Sequence, residues 1–173
     1  YSGFSQCNAA LTDIEAIDFY FAQTLCDLLK QDSAFSETDL TQAFHVLLAL
    51  SVSQRQGNAC LILDDIADQT LFTTPEKADS GWEFSSLPSL LALAGGLAAS
   101  PSLFGKLHLI DNRLYSARYW QFEQDIKAGI AARLSPVPLD DEQYQRVSDL
   151  WSALFNSKPA AEQDWQHVVT ALS

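Results

Sequence analysis

The 173-residue chain has no methionine, even at its first position, so it is expected to be a trimmed piece of a longer protein. Cysteine is scarce too. Cys7, Cys26 and Cys60 are odd in number, widely spaced and without a Cys-x-x-Cys pair. That argues against a disulfide scaffold and for a reducing, cytoplasmic setting. Cys26 and Cys60 stand in apolar runs, where free cysteine behaves as a small hydrophobe. There is no run of about 18 apolar residues, so no membrane span is expected. No secretory signal is visible. Basic residues are few, 10 Lys and Arg against 22 Asp and Glu, for a net charge of −12. The deficit is uneven: residues 1–100 carry 13 acids and 3 bases, residues 101–173 carry 9 acids and 7 bases. Duplex DNA should repel the front half. An acidic surface keeps a protein soluble, and it also suits a basic protein partner.

Motifs for nucleotide chemistry are missing as well. A P-loop needs Gly, four residues, then Gly-Lys-Ser/Thr, so that backbone amides wrap the phosphates and lysine neutralises them. Gly105-Lys106 is the single Gly-Lys, with Ser100 where the first Gly should stand and Leu107 in the hydroxyl place. It reads as a turn before a strand. The histidines, His45, His108 and His167, are far apart. Asp64-Asp65 would point to opposite faces if extended, a poor chelate. Asp140-Asp141-Glu142 suits a helix N-terminus. A nucleophile needs a base beside it. Cys60 could serve a small hydrolase with His108, although a cysteine in an apolar strand is more often inert core.

What is present is regular periodicity. Thr12 and Glu15 have capping-box spacing. Ile14, Ile17, Phe21, Leu25 and Leu28 follow as one helical stripe. A second helix is expected over 39–54 on Leu40, Phe44, Leu47, Leu48 and Val52, with Gly57 at its stop. Residues 59–63 read as a strand. Residues 68–86 read as a loop pinned to the core by Trp82 and Phe84. Pro88 opens a short helix over 88–94, weakened or ended by Gly95-Gly96. Leu107 and Leu109 alternate with His108, and Asp111-Asn112 suits a tight hairpin turn. Further helices are expected over 119–134, 140–155 and 161–172, the last with Trp165, Val168, Val169 and Leu172 inward. The fold class is therefore α+β and mostly helical, with five or six helices and three short strands. One domain is expected, with possible subregions 1–67 and 87–173 joined by the 68–86 loop.

Basic residues meet aromatics only at Arg113, Tyr115, Arg118, Tyr119 and Trp120. This is the one place where a DNA strand could be contacted. The same stretch, LHLIDNRLYSARYWQFEQDI, resembles the N-terminal region of RecD, the alpha subunit of exodeoxyribonuclease V, the RecBCD enzyme. Leu114, Tyr115, Arg118, Tyr119, Trp120 and Glu123 carry the likeness. Gly57, Cys60 and Leu61 match that family's Gly-x-x-Cys-Leu strand, and Asp164, Trp165 and Gln166 resemble the segment before its motor. The likeness runs over about residues 20–173. It implies an ATP-dependent 5′-to-3′ DNA helicase subunit acting in double-strand-break repair and recombination beside RecB and RecC. ATP and Mg would belong to the motor, whose motifs are not in this sequence. For this piece the resemblance implies no enzyme activity, no metal and no cofactor. It implies a domain that docks a RecC-like subunit, with motif residues that build structure rather than react. DNA would be a partner of the whole complex, or locally of Arg113 and Arg118.

Overall fold

A computed structural model describes residues 1–73, 80–134 and 140–154, the last four by backbone alone. The chain divides into two compact units, Tyr1–Ile130 and Ala131–Ser173. The first unit takes in residues 1–67 together with residues 87–130. The fold is α+β and mostly helical, with seven α-helices, a three-stranded sheet and a two-stranded sheet among the described residues.

The first helix, α1 (Phe4–Ala10), leads to α2 (Ala16–Leu29). The capping box of α2 uses Glu15 and Asp18, three residues later than Thr12 and Glu15. Asp13 explains the shift: its φ of 59° breaks the helical path there. The Thr12 N–H goes instead to the Phe72 carbonyl, at 2.9 Å. The buried face turns accordingly. Asp18, Phe19, Ala22, Leu25, Cys26 and Leu29 face inward. Of the expected stripe, Leu25 is buried within the helix, Ile17 is 66% exposed, and Ile14 is buried ahead of it.

Ser36 caps α3 (Glu37–Arg55) in a reciprocal box with Asp39. Residues 43, 45–50 and 52 are all buried. Burial on every side makes α3 the central helix, packed on α2, on α5 (Leu87–Ala99) and on the sheet. Gly57 ends it at φ 97°. The Gly57 N–H reaches the Gln54 carbonyl (3.1 Å) and the Asn58 N–H reaches Ser53 (3.1 Å). These two bonds satisfy the last carbonyls of the helix, and the left-handed backbone they need suits glycine.

The strand expected over 59–63 is shorter. β1 is Leu61–Ile62, and α4 (Leu63–Ile66) starts at once. The Leu63 N–H is held by the Asn112 carbonyl at 2.9 Å. Asp64 and Asp65 therefore lie in a helical turn, not on a strand. The expected 68–86 loop contains β2 (Thr70–Leu71) and β3 (Trp82–Glu83), paired antiparallel. These two strands add a second small sheet to the expected three-stranded one, for five strands among the described residues.

α5 carries Pro88 in its first turn and continues through Gly95-Gly96, where a weakening or an end was expected, to Ala99. The side chains of Phe35 and Leu109 approach these glycines; a Cβ on Gly96 would sit 3.6 Å from the Phe35 ring. Burial of Leu90, Leu93, Ala94 and Leu97 offsets the roughly 1 kcal/mol that a helical glycine costs. A 3₁₀ turn, Pro101–Leu103, leads to β4 (Leu107–Ile110) and β5 (Arg113–Ser116). Asp111 turns the hairpin at φ 54°. The sheet order is β1-β5-β4, all antiparallel, with Leu61 opposite Leu114 and His108 opposite Tyr115. α6 (Ala117–Arg133) follows β5 directly, and none of its residues is buried.

In the second unit, α7 (Asp141–Leu154) is capped by Asp140. The Gln143 N–H donates to Asp140 Oδ1 at 2.8 Å, and the Asp140 N–H to Gln143 Oε1 at 3.2 Å. The helix expected over 161–172, with Trp165, lies outside the described residues.

Candidate functional site

The two faces of β5 divide the motif residues. Leu114 points into the core and is fully buried. Tyr115 points the other way, under the first turns of α6. Its ring meets Trp120 edge to face, with centroids 5.4 Å apart. His108, its neighbour across the hairpin, stacks on the same Trp120 at 5.5 Å. Burial pushes the Tyr115 phenol up to about 12; the Cys60 thiol and Glu123 beside it push the same way, and Arg113 opposes them. The structure thus gathers Cys60, Arg113, Tyr115, Trp120 and Glu123, residues up to 63 positions apart, around one phenol. Leu61 joins from β1, and Gly57 stands just ahead at the turn from α3. Ser116 ties the sheet to α3 through Gln54, at 2.9 and 3.2 Å.

Arg118 and Tyr119 stand apart from this cluster. The Arg118 guanidinium lies 5.4 Å over the Phe122 ring, and Tyr119 touches the same ring edge-on. Arg113 and Arg118 are both exposed.

The chemistry available here is limited. Tyr115 keeps its proton at neutral pH, so it offers the Cys60 thiol no general base. Cys7 and Cys26 are pushed by burial to about 11 and about 12, which disfavours the reactive thiolate. Among the described residues no group of three or more His, Cys, Asp and Glu is placed to hold a metal ion. Nor is any described helix long and apolar enough to cross a membrane.

Three features were not read from the sequence. Asp18 is fully buried; it accepts from Arg55 Nε (3.0 Å), Ser51 Oγ (2.7 Å) and the Glu15 N–H (2.9 Å). The spacing of Glu15 and Asp18 carried that signal, three residues on from the box that was read. His45 is buried and stacked on Trp82, a contact no local pattern announces. On α6, Phe122, Ile126 and Ile130 point outward, 47%, 63% and 52% exposed. Their four-residue spacing was legible, but not the direction they face.

The family model for the N-terminal domain of the RecBCD enzyme subunit RecD matches residues 11–115. The chain belongs to this family. The match starts at Leu11 and ends in β5, so Gly57, Cys60, Leu61, Arg113, Leu114 and Tyr115 lie inside it. Arg118, Tyr119, Trp120, Glu123 and Trp165 lie beyond. No curated protein and no solved structure matches the chain. Membership in the RecD N-terminal family sets the context of a subunit of the multi-subunit RecBCD enzyme.

Proposed function

We propose that this RecD N-terminal domain is a non-catalytic interaction domain, attaching an ATP-dependent helicase subunit to a RecC-like subunit in the cytoplasm. The observation that carries the reading is the outward apolar stripe of α6. Phe122, Ile126 and Ile130 recur every four residues, each about half exposed or more, in a chain of net charge −12. Monomeric domains rarely leave such a stripe open, and a protein interface covers it. In this reading Leu114, Tyr115, Trp120 and Glu123 hold α6 at a fixed angle to the sheet and react with nothing. ATP and Mg act in the parent motor. The test is co-purification and calorimetry of the chain with a purified RecC-like subunit. The expected result is a one-to-one complex that Ile126→Glu abolishes while the variant's helix content and melting stay unchanged. A folded wild-type chain that forms no complex ends this reading.

A second reading rests on the exposed Arg118–Phe122 pair, with Arg113 nearby in sequence: a cation and an open ring can hold a single-stranded base between them. Binding of single-stranded DNA at low salt, weakening steeply as salt rises, is its signature. No binding at low salt removes it.

A further inference from the structure

A cleft of about 470 Å³ opens beside the C-terminal half of α3, bounded by the turn into β1, by α4 and by the chain around Asp13 and Phe72. Its size is that of a site for one or two large side chains. The floor is apolar, built from Val52, Leu61, Ile66 and Phe72. Among the described residues, the ionisable groups that line it are two carboxylates, Asp13 and Asp65, and the Cys60 thiol, with no Lys, Arg or His. Among the described residues neither carboxylate has an ion-pair partner. Lys30 is engaged elsewhere, with Asp27. Arg55, whose Nη2 donates to the Asp13 backbone carbonyl at 2.6 Å, has its charge paired with other carboxylates, Glu15 and Asp18.

The rim is also held in an unusual backbone. Asp13 and Phe72 both have left-handed φ, 59° and 63°, and the Thr12 N–H is bonded to the Phe72 carbonyl. A phenylalanine at positive φ is rare and costly, and such strain concentrates where a surface is shaped for a ligand. An apolar floor beneath two unpaired carboxylates fits a side chain with a long aliphatic stem and a cationic head.

We propose that this cleft receives an arginine or lysine side chain from a basic segment of the partner protein, with its stem on Val52, Ile66 and Phe72 and its cation against Asp13 and Asp65. The inference rests on the docking reading above and names the chemistry that a partner must present. It also gives the uneven charge of the chain a use, since the carboxylates would steer a basic surface toward this side.

The test has two arms. In the first, the isotope-labelled 173-residue chain is titrated with N-acetyl-arginine amide and, separately, with N-acetyl-leucine amide, reading backbone amide shifts. Shifts at Asn58, Asp65 and Phe72 with the arginine probe alone are expected, and they vanish in the Asp13→Asn/Asp65→Asn variant. Asparagine tolerates the left-handed backbone at position 13 as aspartate does, so the variant keeps its fold. In the second arm the same variant binds the RecC-like subunit at least about tenfold more weakly than wild type, with a shallower salt dependence. No shift with the arginine probe, equal shifts with both probes, or unchanged affinity of the variant overturns the cleft assignment. A wild-type chain that shifts with the arginine probe but ignores the RecC-like subunit defeats the docking reading and leaves the cleft chemistry standing.

Discussion

His45 lies flat against Trp82, ring centroids 3.5 Å apart and planes 5° from parallel. The Trp82 ring comes from the two-stranded sheet and covers an imidazole of the central helix. Beneath it His45 Nδ1 donates to the Thr41 carbonyl at 2.8 Å, and Nε2 accepts from the Tyr1 hydroxyl at 3.2 Å. Both nitrogens are satisfied by the neutral ring. Burial drives the His45 pKa from 6.5 down to about 4.

That depression makes stability pH-dependent. The unfolded chain takes up a proton at His45 near pH 6.5, and the folded chain only near 4. The contribution is whole above pH 6.5 and is lost as pH falls through that window, by up to about 3 kcal/mol. Urea unfolding at pH 7.5, 6 and 4.5 measures it. His45→Phe preserves the stack on Trp82 and should flatten the slope over this range; an unchanged slope refutes the assignment.

Asp18 joins the start of α2 to the end of α3 through Arg55 and Ser51. Asp18→Ala leaves Arg55 Nε, Ser51 Oγ and the Glu15 N–H without their acceptor, while the rest of the guanidinium keeps Glu15 and the Asp13 carbonyl. A loss of about 2–4 kcal/mol is expected, larger than for Glu15→Ala, whose carboxylate is mostly exposed. Chemical denaturation of the two variants side by side decides the order.

Gly57 and Gly81 both have positive φ, 97° and 104°, but different surroundings. A Cβ on Gly57 meets nothing within 4 Å, so Gly57→Ala costs backbone strain alone, about 1–2 kcal/mol. A Cβ on Gly81 meets the Thr73 side chain and the Leu71 carbonyl, the latter at 2.7 Å. Gly81→Ala is therefore the more damaging change, and it should disturb the β2–β3 pairing. Thermal melting ranks them, and loss of hydrogen-exchange protection at Phe84, whose N–H is bonded to Gln69, locates the second effect.

Trp120→Ala uncovers Tyr115 and His108. A destabilisation of about 1.5–3 kcal/mol is expected from the lost burial, with partner docking weakened only as a consequence. Cooling the variant until it is fully folded should restore docking. Melting identical to wild type would show that Trp120 is no part of the junction.

Much of the fold was legible because its signals are local. Asp111 and Asn112 predict a two-residue hairpin turn, and the turn is there. Asp140 and Pro88 mark helix starts within one or two residues. The errors fell where distant contacts outvote local preference. Gly95-Gly96 reads as a weak point or an end of the helix, yet burial of Leu90, Leu93 and Leu97 carries α5 through it. Residues 59–63 read as one strand, yet the Asn112 carbonyl takes the Leu63 N–H and the chain turns helical. The motif residues were legible as a likeness; their grouping around the Tyr115 phenol was not, because Cys60 and Glu123 meet only once the sheet has formed.

By itself the sequence determined the α+β class, the hairpin and the family. Caps, turns and periodicity act over four residues or fewer, and they survive without knowledge of the rest. Tertiary structure alone decided which face of α2 is buried, that α6 turns an apolar stripe outward, and that Asp13 and Asp65 border one cleft. Those outcomes depend on summed burial and on hydrogen bonds between segments tens of residues apart, and no window along the chain contains both partners.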